Sequence, residues 1–247
     1  MSITFIFEDD EEPDLSEGNT SLPNDIIEIC ENIYPADGAP NLFTATEYMQ
    51  CNCKNSVCDD DCLNRATFTE CYRCSNERCT NQNIRLNRFS PRYRISHMAN
   101  GKGYGVILLH DITAGAPIGQ YLGEIITATE LSVRKRRIYK EALQMNCLPR
   151  YYFIQLNKGW FIDSKVYGNA MRFVNHSCNP NTMILKWDIP FEHANPGLCY
   201  YTQALVLTAK RHIKSGEELT FNYNLSYAKG DKKEICLCNT PSCKGFF

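Results

Sequence analysis

The sequence lacks most of what would place it in several common classes. No run of apolar residues approaches the roughly 18 that a membrane-spanning helix requires. The start, Met1 to Asp14, has no basic stretch followed by an apolar core, so a secretory signal is not expected. Charge of one sign is not in excess: 26 Lys and Arg face 28 Asp and Glu, a formal net charge of −2. That balance argues against broad electrostatic coating of nucleic acid. Internal repeats are absent. With 43% hydrophobic residues over 247 positions, the chain can form one sizeable core plus small satellites.

Cysteine is what the sequence has in surplus. Fourteen cysteines without a secretory signal point to a reducing compartment, where clustered thiols hold metal more often than they form disulfides. Cys30, Cys147 and Cys199 have no partners at ligand spacing and read as ordinary small apolar residues. Seven others form the pattern Cys51-x-Cys53-x4-Cys58-x3-Cys62-x8-Cys71-x2-Cys74-x4-Cys79. Zinc takes four thiolates, so seven fill two tetrahedral shells only if one sulfur bridges both ions. A disulfide knot is the alternative, but the odd count leaves a thiol over and Cys51 and Cys53 are poorly placed to pair. Shells closed by sulfur leave no position for an activated water, so these ions are structural.

The rest of the chain divides by composition. Residues 1–45 begin acidic (Glu8 to Glu12) and continue with Pro and Gly, which predicts a weakly ordered extension. Residues 51–79 contain too little aliphatic material for a core of their own, so metal must organise them. From Tyr104 onward short strands are expected, among them Tyr104–Leu109, Tyr151–Leu156, Ala204–Thr208 and Leu219–Tyr223. One helix is predicted from about Ala128, with Thr127 and Glu130 as a capping box and Leu131, Ile138, Tyr139 and Ala142 on one face. The fold class is α+β, dominated by β.

Two segments carry the chemistry: Arg172-Phe-Val-Asn-His-Ser-Cys-Asn-Pro-Asn181 and Glu218-Leu-Thr-Phe-Asn-Tyr223. Taken alone, the first is a polar loop rich in side chains that bond backbone. The second is a strand with Leu219, Phe221 and Tyr223 on one face, where aromatics are core more often than catalytic. Together and in this order they resemble the SET-domain lysine methyltransferases. Lys102-Gly103-Tyr104-Gly105 resembles that family's first cofactor motif, and Tyr121-Leu-Gly-Glu124 the strand after it. Cys236-x-Cys238-x4-Cys243 resembles the post-SET zinc segment, and the seven-cysteine cluster resembles the AWS (associated-with-SET) module of enzymes acting on lysine 36 of histone H3.

The resemblance implies a SET domain of several short sheets with a threaded, pseudoknot-like carboxyl-terminal segment, flanked by zinc-cysteine modules. The divisions it suggests are an AWS-like module over 46–92, a catalytic SET domain over 93–226 and a post-SET segment over 227–247. It implies three zinc ions. Cys58 would bridge one ion held by Cys51, Cys53 and Cys62 and another held by Cys71, Cys74 and Cys79. Cys178 would join Cys236, Cys238 and Cys243 around the third. S-adenosylmethionine would lie against Lys102, Gly103 and Tyr104, against Arg150, Tyr151 and Tyr152, and against Asn175 and His176, with Arg172 a weaker candidate. Tyr223 would be the catalytic tyrosine, with Phe221 and Tyr151 lining the lysine channel. Phe221 occupies the family's Phe/Tyr switch position, which sets how many methyl groups are added.

Without the family, Gly103 and Gly105 would be read as a tight turn and His176 as a structural hydrogen-bonding residue. Arg150, Asn222 and Gln120 depart from the usual His, Asp and Glu, without removing a group the chemistry requires. Arg134-Lys-Arg-Arg137 reads as a solvated helix face in preference to a nuclear-import signal or a weak DNA contact. The implied function is methylation of a histone H3 tail in nuclear chromatin by a monomer, with no membrane partner. Another histone or non-histone lysine is the runner-up, and a catalytically weak chromatin-binding module is the non-enzymatic alternative.

Overall fold

The computed structural model describes residues 26–35, 43–45, 47–51, 53, 57–59, 61–74, 78–89, 91–98, 101–147, 149–191, 199–225 and 233–246. The weakly ordered extension expected for residues 1–45 falls largely outside them. Within it, residues 26–35 are tied to the main body. Strand β1 (Ile27–Glu28) pairs in parallel with a later strand at Tyr167 and Gly168, and Asn32 Oδ1 accepts from the Gly123 amide at 3.0 Å.

Short strands dominate in several small sheets. In chain order they are β2 (Phe43–Ala45), β3 (Tyr93–Met98), β4 (Gly103–Leu108), β5 (Pro117–Gln120), β6 (Glu124–Thr127), β7 (Phe153–Asn157), β8 (Trp160–Asp163), β9 (Tyr167–Gly168), β10 (Asn175–His176), β11 (Thr182–Phe191), β12 (Cys199–Ala209) and β13 (Thr220–Phe221). A four-residue helix α1 (Leu63–Ala66), helix α2 (Ala128–Gln144) and a 3-10 turn at Ala170–Phe173 complete the list. β11 and β12 form a long antiparallel pair whose β12 also pairs with β5 and β2, β3 pairs with β4, and β6, β8 and β7 form a third sheet. Among the described residues no helix is long and apolar enough to cross a membrane.

The core is built from the inward side chains of these sheets. Ile95, Val106, Leu108, Ile118, Leu156, Ile162, Leu207, Ile213 and Leu219 are all essentially inaccessible. Each such aliphatic stabilises by roughly 1.5–3 kcal/mol relative to exposure. A separate cluster of cysteines, centred on Cys58, Cys62 and Cys71, stands in for a core in the amino-terminal module.

Helix α2 begins at Ala128, and Thr127 accepts the Glu130 amide at 3.2 Å. The capping is one-sided, because the Glu130 carboxylate turns to Arg134 instead (2.9 Å). Leu131, Ile138 and Ala142 are buried as the periodicity predicts, whereas Tyr139 lies at the edge of that face and is half exposed. Arg134 does not belong to the solvated face expected for the basic run. It bonds Glu124 and Asp163 at 2.7 Å each and docks the helix on β6 and β8.

Two expected strands are shorter than their patterns suggest. Tyr121–Gly123 does not continue as a ladder into Glu124, since the Tyr121 amide bonds the Leu205 carbonyl and the Gly123 amide bonds Asn32. Leu219–Tyr223 reduces to Thr220–Phe221. The Tyr223 amide is taken by the His176 ring, Asn222 Oδ1 accepts from the Asn224 amide, and Asn224 adopts φ +49°. Of the three cysteines read as small apolar residues, Cys199 is buried while Cys30 and Cys147 are exposed.

Candidate active site

The two polar motifs meet as the parallel pair β10–β13, with Asn175 opposite Thr220 and His176 opposite Phe221, partners 45 positions apart in the chain. On its other side the segment entering β13 pairs with β4: the Leu219 amide bonds the Val106 carbonyl at 2.7 Å, and Leu108 bonds the Glu217 carbonyl at 3.0 Å. One short segment therefore joins the strand of the first cofactor motif to the loop of the third. Asn181 locks it, accepting from the Thr220 amide (2.9 Å) and donating to the Glu218 carbonyl (2.9 Å).

Tyr223 sits at the end of this segment. Its hydroxyl donates to the Val174 carbonyl at 3.1 Å, its ring lies 4.8 Å from that of Phe221, and the His176 ring stands edge-on at 5.4 Å. Burial pushes the Tyr223 phenol well above its ordinary range, and the charges of Tyr121, Tyr152, Glu234 and Glu218 add to the shift. It stays protonated at neutral pH. The His176 Nδ1 accepts the Tyr223 amide (3.2 Å), so the ring proton resides on Nε2, which faces the Cys178 sulfur at 3.5 Å. Burial, and secondly Lys244, lowers the His176 pKa and keeps the ring neutral.

The three segments assigned to the cofactor come together. Gly103 adopts φ +79°, a left-handed conformation that suits glycine, and a side chain there would lie 3.5 Å from the Arg150 guanidinium. Lys102 Nζ bonds Glu218 at 2.7 Å, and Asn175 Nδ2 donates to both the Tyr104 carbonyl (3.0 Å) and Glu218 Oε1 (2.8 Å). Tyr104 leaves 37% of its surface exposed beside Phe173. Arg172 is placed otherwise. It is 7% exposed, donates to the Ser164 carbonyl at 2.7 Å and stacks on the Tyr152 ring at 3.9 Å, so it braces the second segment from behind.

Tyr151 is partly exposed, packs near Phe153 at 6.1 Å and has the Lys135 ammonium 5.9 Å over its ring. Glu234 lies close enough for its charge to act on Tyr151 and Tyr223, and Arg150 acts on it in turn. Sequence reasoning missed Glu218, Tyr121 and Glu234. Tyr121 is fully enclosed and donates to the Tyr152 carbonyl at 3.1 Å. The first two lay inside quoted motifs as ionisable or polar residues without an assigned role, which was the available signal. Glu234 had none. A cleft of about 250 Å³ lined by Arg65, Phe68, Met183, Leu185 and Trp187 includes none of the residues assigned to the cofactor or the lysine channel.

The cysteines gather into three four-sulfur sets whose Sγ atoms lie within 4.8 Å of one another: Cys51, Cys58, Cys62 and Cys71; Cys58, Cys71, Cys74 and Cys79; and Cys178, Cys236, Cys238 and Cys243. Four sulfurs around zinc at about 2.3 Å stand roughly 3.8 Å apart, so the donor sets fit that ion in chemistry and in spacing. Cys58 and Cys71 belong to both amino-terminal sets. Cys53 falls in neither, although its thiol bonds those of Cys51, Cys58 and Cys62.

Comparison with known proteins agrees with this arrangement. Residues 103–224 match the SET domain family model. The chain is 38% identical over 223 residues to "Histone-lysine N-methyltransferase ash1" of Drosophila melanogaster, covering 88% of this chain and 9% of that protein. It is 35% identical over 229 residues (90% and 21%) and 34% identical over 254 residues (96% and 31%) to proteins named "Histone-lysine N-methyltransferase, H3 lysine-36 specific" of Coccidioides immitis and Saccharomyces cerevisiae. The chain thus spans less than a third of the length of each of these relatives. With its motif strands paired, its three cysteine sets formed and its central half matched, this chain belongs to the SET-domain family.

Proposed function

We propose that the protein transfers methyl groups from S-adenosylmethionine to a lysine of a histone, and that the target is lysine 36 of histone H3. The observation that carries the reading is the β10–β13 pair, which sets Tyr223, Phe221, His176 and Asn175 beside the Gly103 turn. The names of the relatives and the seven-cysteine cluster support this target. Residues 46–92 act as the AWS-like module, 93–226 as the catalytic domain and 227–247 as the post-SET segment.

The site suits this cofactor in two respects. The left-handed turn at Gly103 exposes backbone without a side chain in the way. Asn175, whose amide hydrogens both go to protein acceptors, offers Oδ1 to a donor such as an ammonium. Lys102, Gly103 and Tyr104, Arg150 to Tyr152, and Asn175 with His176 would hold it. S-adenosylmethionine, when bound, supplies a methyl group on a sulfonium centre.

The remaining work belongs to the chain. The aromatic walls of Phe221, Tyr223 and Tyr151 strip water from the incoming ammonium, which lowers its pKa, and tolerate a methylated cation by their π-faces. Tyr223 orients the amine and does not act as general base, because its phenol stays protonated. Alignment of this kind contributes about 7 kcal/mol or more. Three zinc ions brace the site, two shared among Cys51, Cys53, Cys58, Cys62, Cys71, Cys74 and Cys79, and one held by Cys178, Cys236, Cys238 and Cys243. Cys178 lies two residues beyond His176, so the third ion ties the carboxyl terminus to the catalytic strands. The enzyme works as a monomer on nuclear chromatin. Incubation with nucleosomes and methyl-labelled cofactor tests the reading: label should enter histone H3 and be lost when lysine 36 is replaced by arginine. Label on another histone would overturn the target, and none at all would overturn the activity.

A further inference from the structure

Resting on that reading, we infer that Glu218 is a positioning residue for the cofactor site, its single carboxylate clamping the first and third cofactor segments to each other. One oxygen takes the Lys102 ammonium at 2.7 Å and the other takes the Asn175 amide at 2.8 Å. The pair is largely enclosed, with side-chain exposures of 10% for Lys102 and 15% for Glu218, so neither charge is satisfied chiefly by water.

Two consequences follow from the chemistry of the partners. Asn175 Nδ2 is flanked by two groups that can only accept, the Tyr104 carbonyl and the Glu218 carboxylate. The amide therefore has one orientation, with Nδ2 inward and Oδ1 presented to the site. Lys102 has its ammonium engaged by Glu218, so it offers the cofactor backbone in preference to charge. Gly105 in the Lys102-Gly-Tyr-Gly105 motif also gains a physical reason. A Cβ there would lie 3.0 Å from Glu218 Oε1 and 2.9 Å from Met98, too close for the carboxylate to keep its place. Gly105 lies within β4 and not in a turn, so the glycine is needed for Glu218 to lie over that strand.

Calorimetric titration with S-adenosylmethionine, paired with steady-state kinetics, tests this. Losing a charge-assisted bond of this kind should raise Kd about tenfold in Glu218→Gln, with KM for the cofactor rising in step and kcat at saturation nearly unchanged. Glu218→Ala should lose more. The double variant Lys102→Met/Glu218→Gln, which removes both charges but keeps an oxygen for Asn175, should recover to within about threefold of wild type. Gly105→Ala should mimic Glu218→Gln. The inference is overturned if both Glu218 variants bind like wild type. It is equally overturned if they lose melting temperature and active fraction at unchanged KM, which is what a merely structural role gives. A wild-type protein that binds no cofactor would instead sink the proposed function, so the two failures are distinguishable.

Discussion

Replacing Arg134 by Met should destabilise the protein far more than removal of a surface charge would. The guanidinium bonds three carboxylates, and their exposures differ: the side chain of Asp163 is 3% exposed, that of Glu124 23% and that of Glu130 46%. The Glu130 contact is a half-exposed i,i+4 pair and contributes only about 0.3–0.5 kcal/mol. Asp163 decides the magnitude. Without Arg134 it keeps the Lys165 amide on one oxygen and has a buried charge left uncompensated, for a cost of about 3–5 kcal/mol. In a chain of this size each kcal/mol shifts the melting temperature by roughly 2–4 °C, so a drop on the order of 10 °C is expected. Thermal and urea unfolding at fixed zinc would measure it. Adding Asp163→Asn should return more of the loss than it costs alone, because it removes the stranded charge. The same helix carries Lys135 over Tyr151, so the loss of this anchor should also reduce turnover. A change below about 1 kcal/mol with additive double mutants would refute the reasoning. If weakened nucleosome binding accompanied that result, Arg134 would be a DNA contact instead.

Other outcomes follow from the same geometry. Gly123→Ala drives a Cβ into the Asp163 carbonyl and against Ile162 Cγ2 at 2.9 Å, and should cost at least about 1–3 kcal/mol by urea unfolding. Metal analysis should return three zinc ions per chain. Chelation should unfold the module around Cys51–Cys79, since a structural site of this type contributes on the order of 10 kcal/mol of folding free energy; circular dichroism before and after readdition of zinc would follow it. Phe221→Tyr places a hydroxyl in a ring pair only 4.8 Å apart, and should shift the product toward fewer methyl groups as read by mass spectrometry.

Much of this was legible in the sequence, and unevenly. Local rules placed the start of helix α2 at about Ala128, where it begins, because Thr127 is a good cap and Leu131, Ile138 and Ala142 recur at helical spacing. Cysteine spacing gave the two clusters. The joining of Cys178 to Cys236, Cys238 and Cys243 could come only from family resemblance, since the partners are far apart in the chain. The sequence could not show that Arg134 leaves the basic run to pair with Asp163, as no local pattern encodes an approach across 29 positions. Nor could it show that Asn222 and the His176 ring end β13 after Phe221. Glu218 went unassigned because its partners, Lys102 and Asn175, meet it only once three separate strands have paired.

The central claim is that Tyr223 sits in a site that methylates lysine 36 of histone H3. Mass spectrometry of histone H3 from nucleosomes incubated with the protein and S-adenosylmethionine tests it most directly. The account predicts methylation confined to lysine 36, and its disappearance with Tyr223→Phe while cofactor binding persists. Equal methylation by the Tyr223→Phe variant, or modification of a different residue, would contradict it.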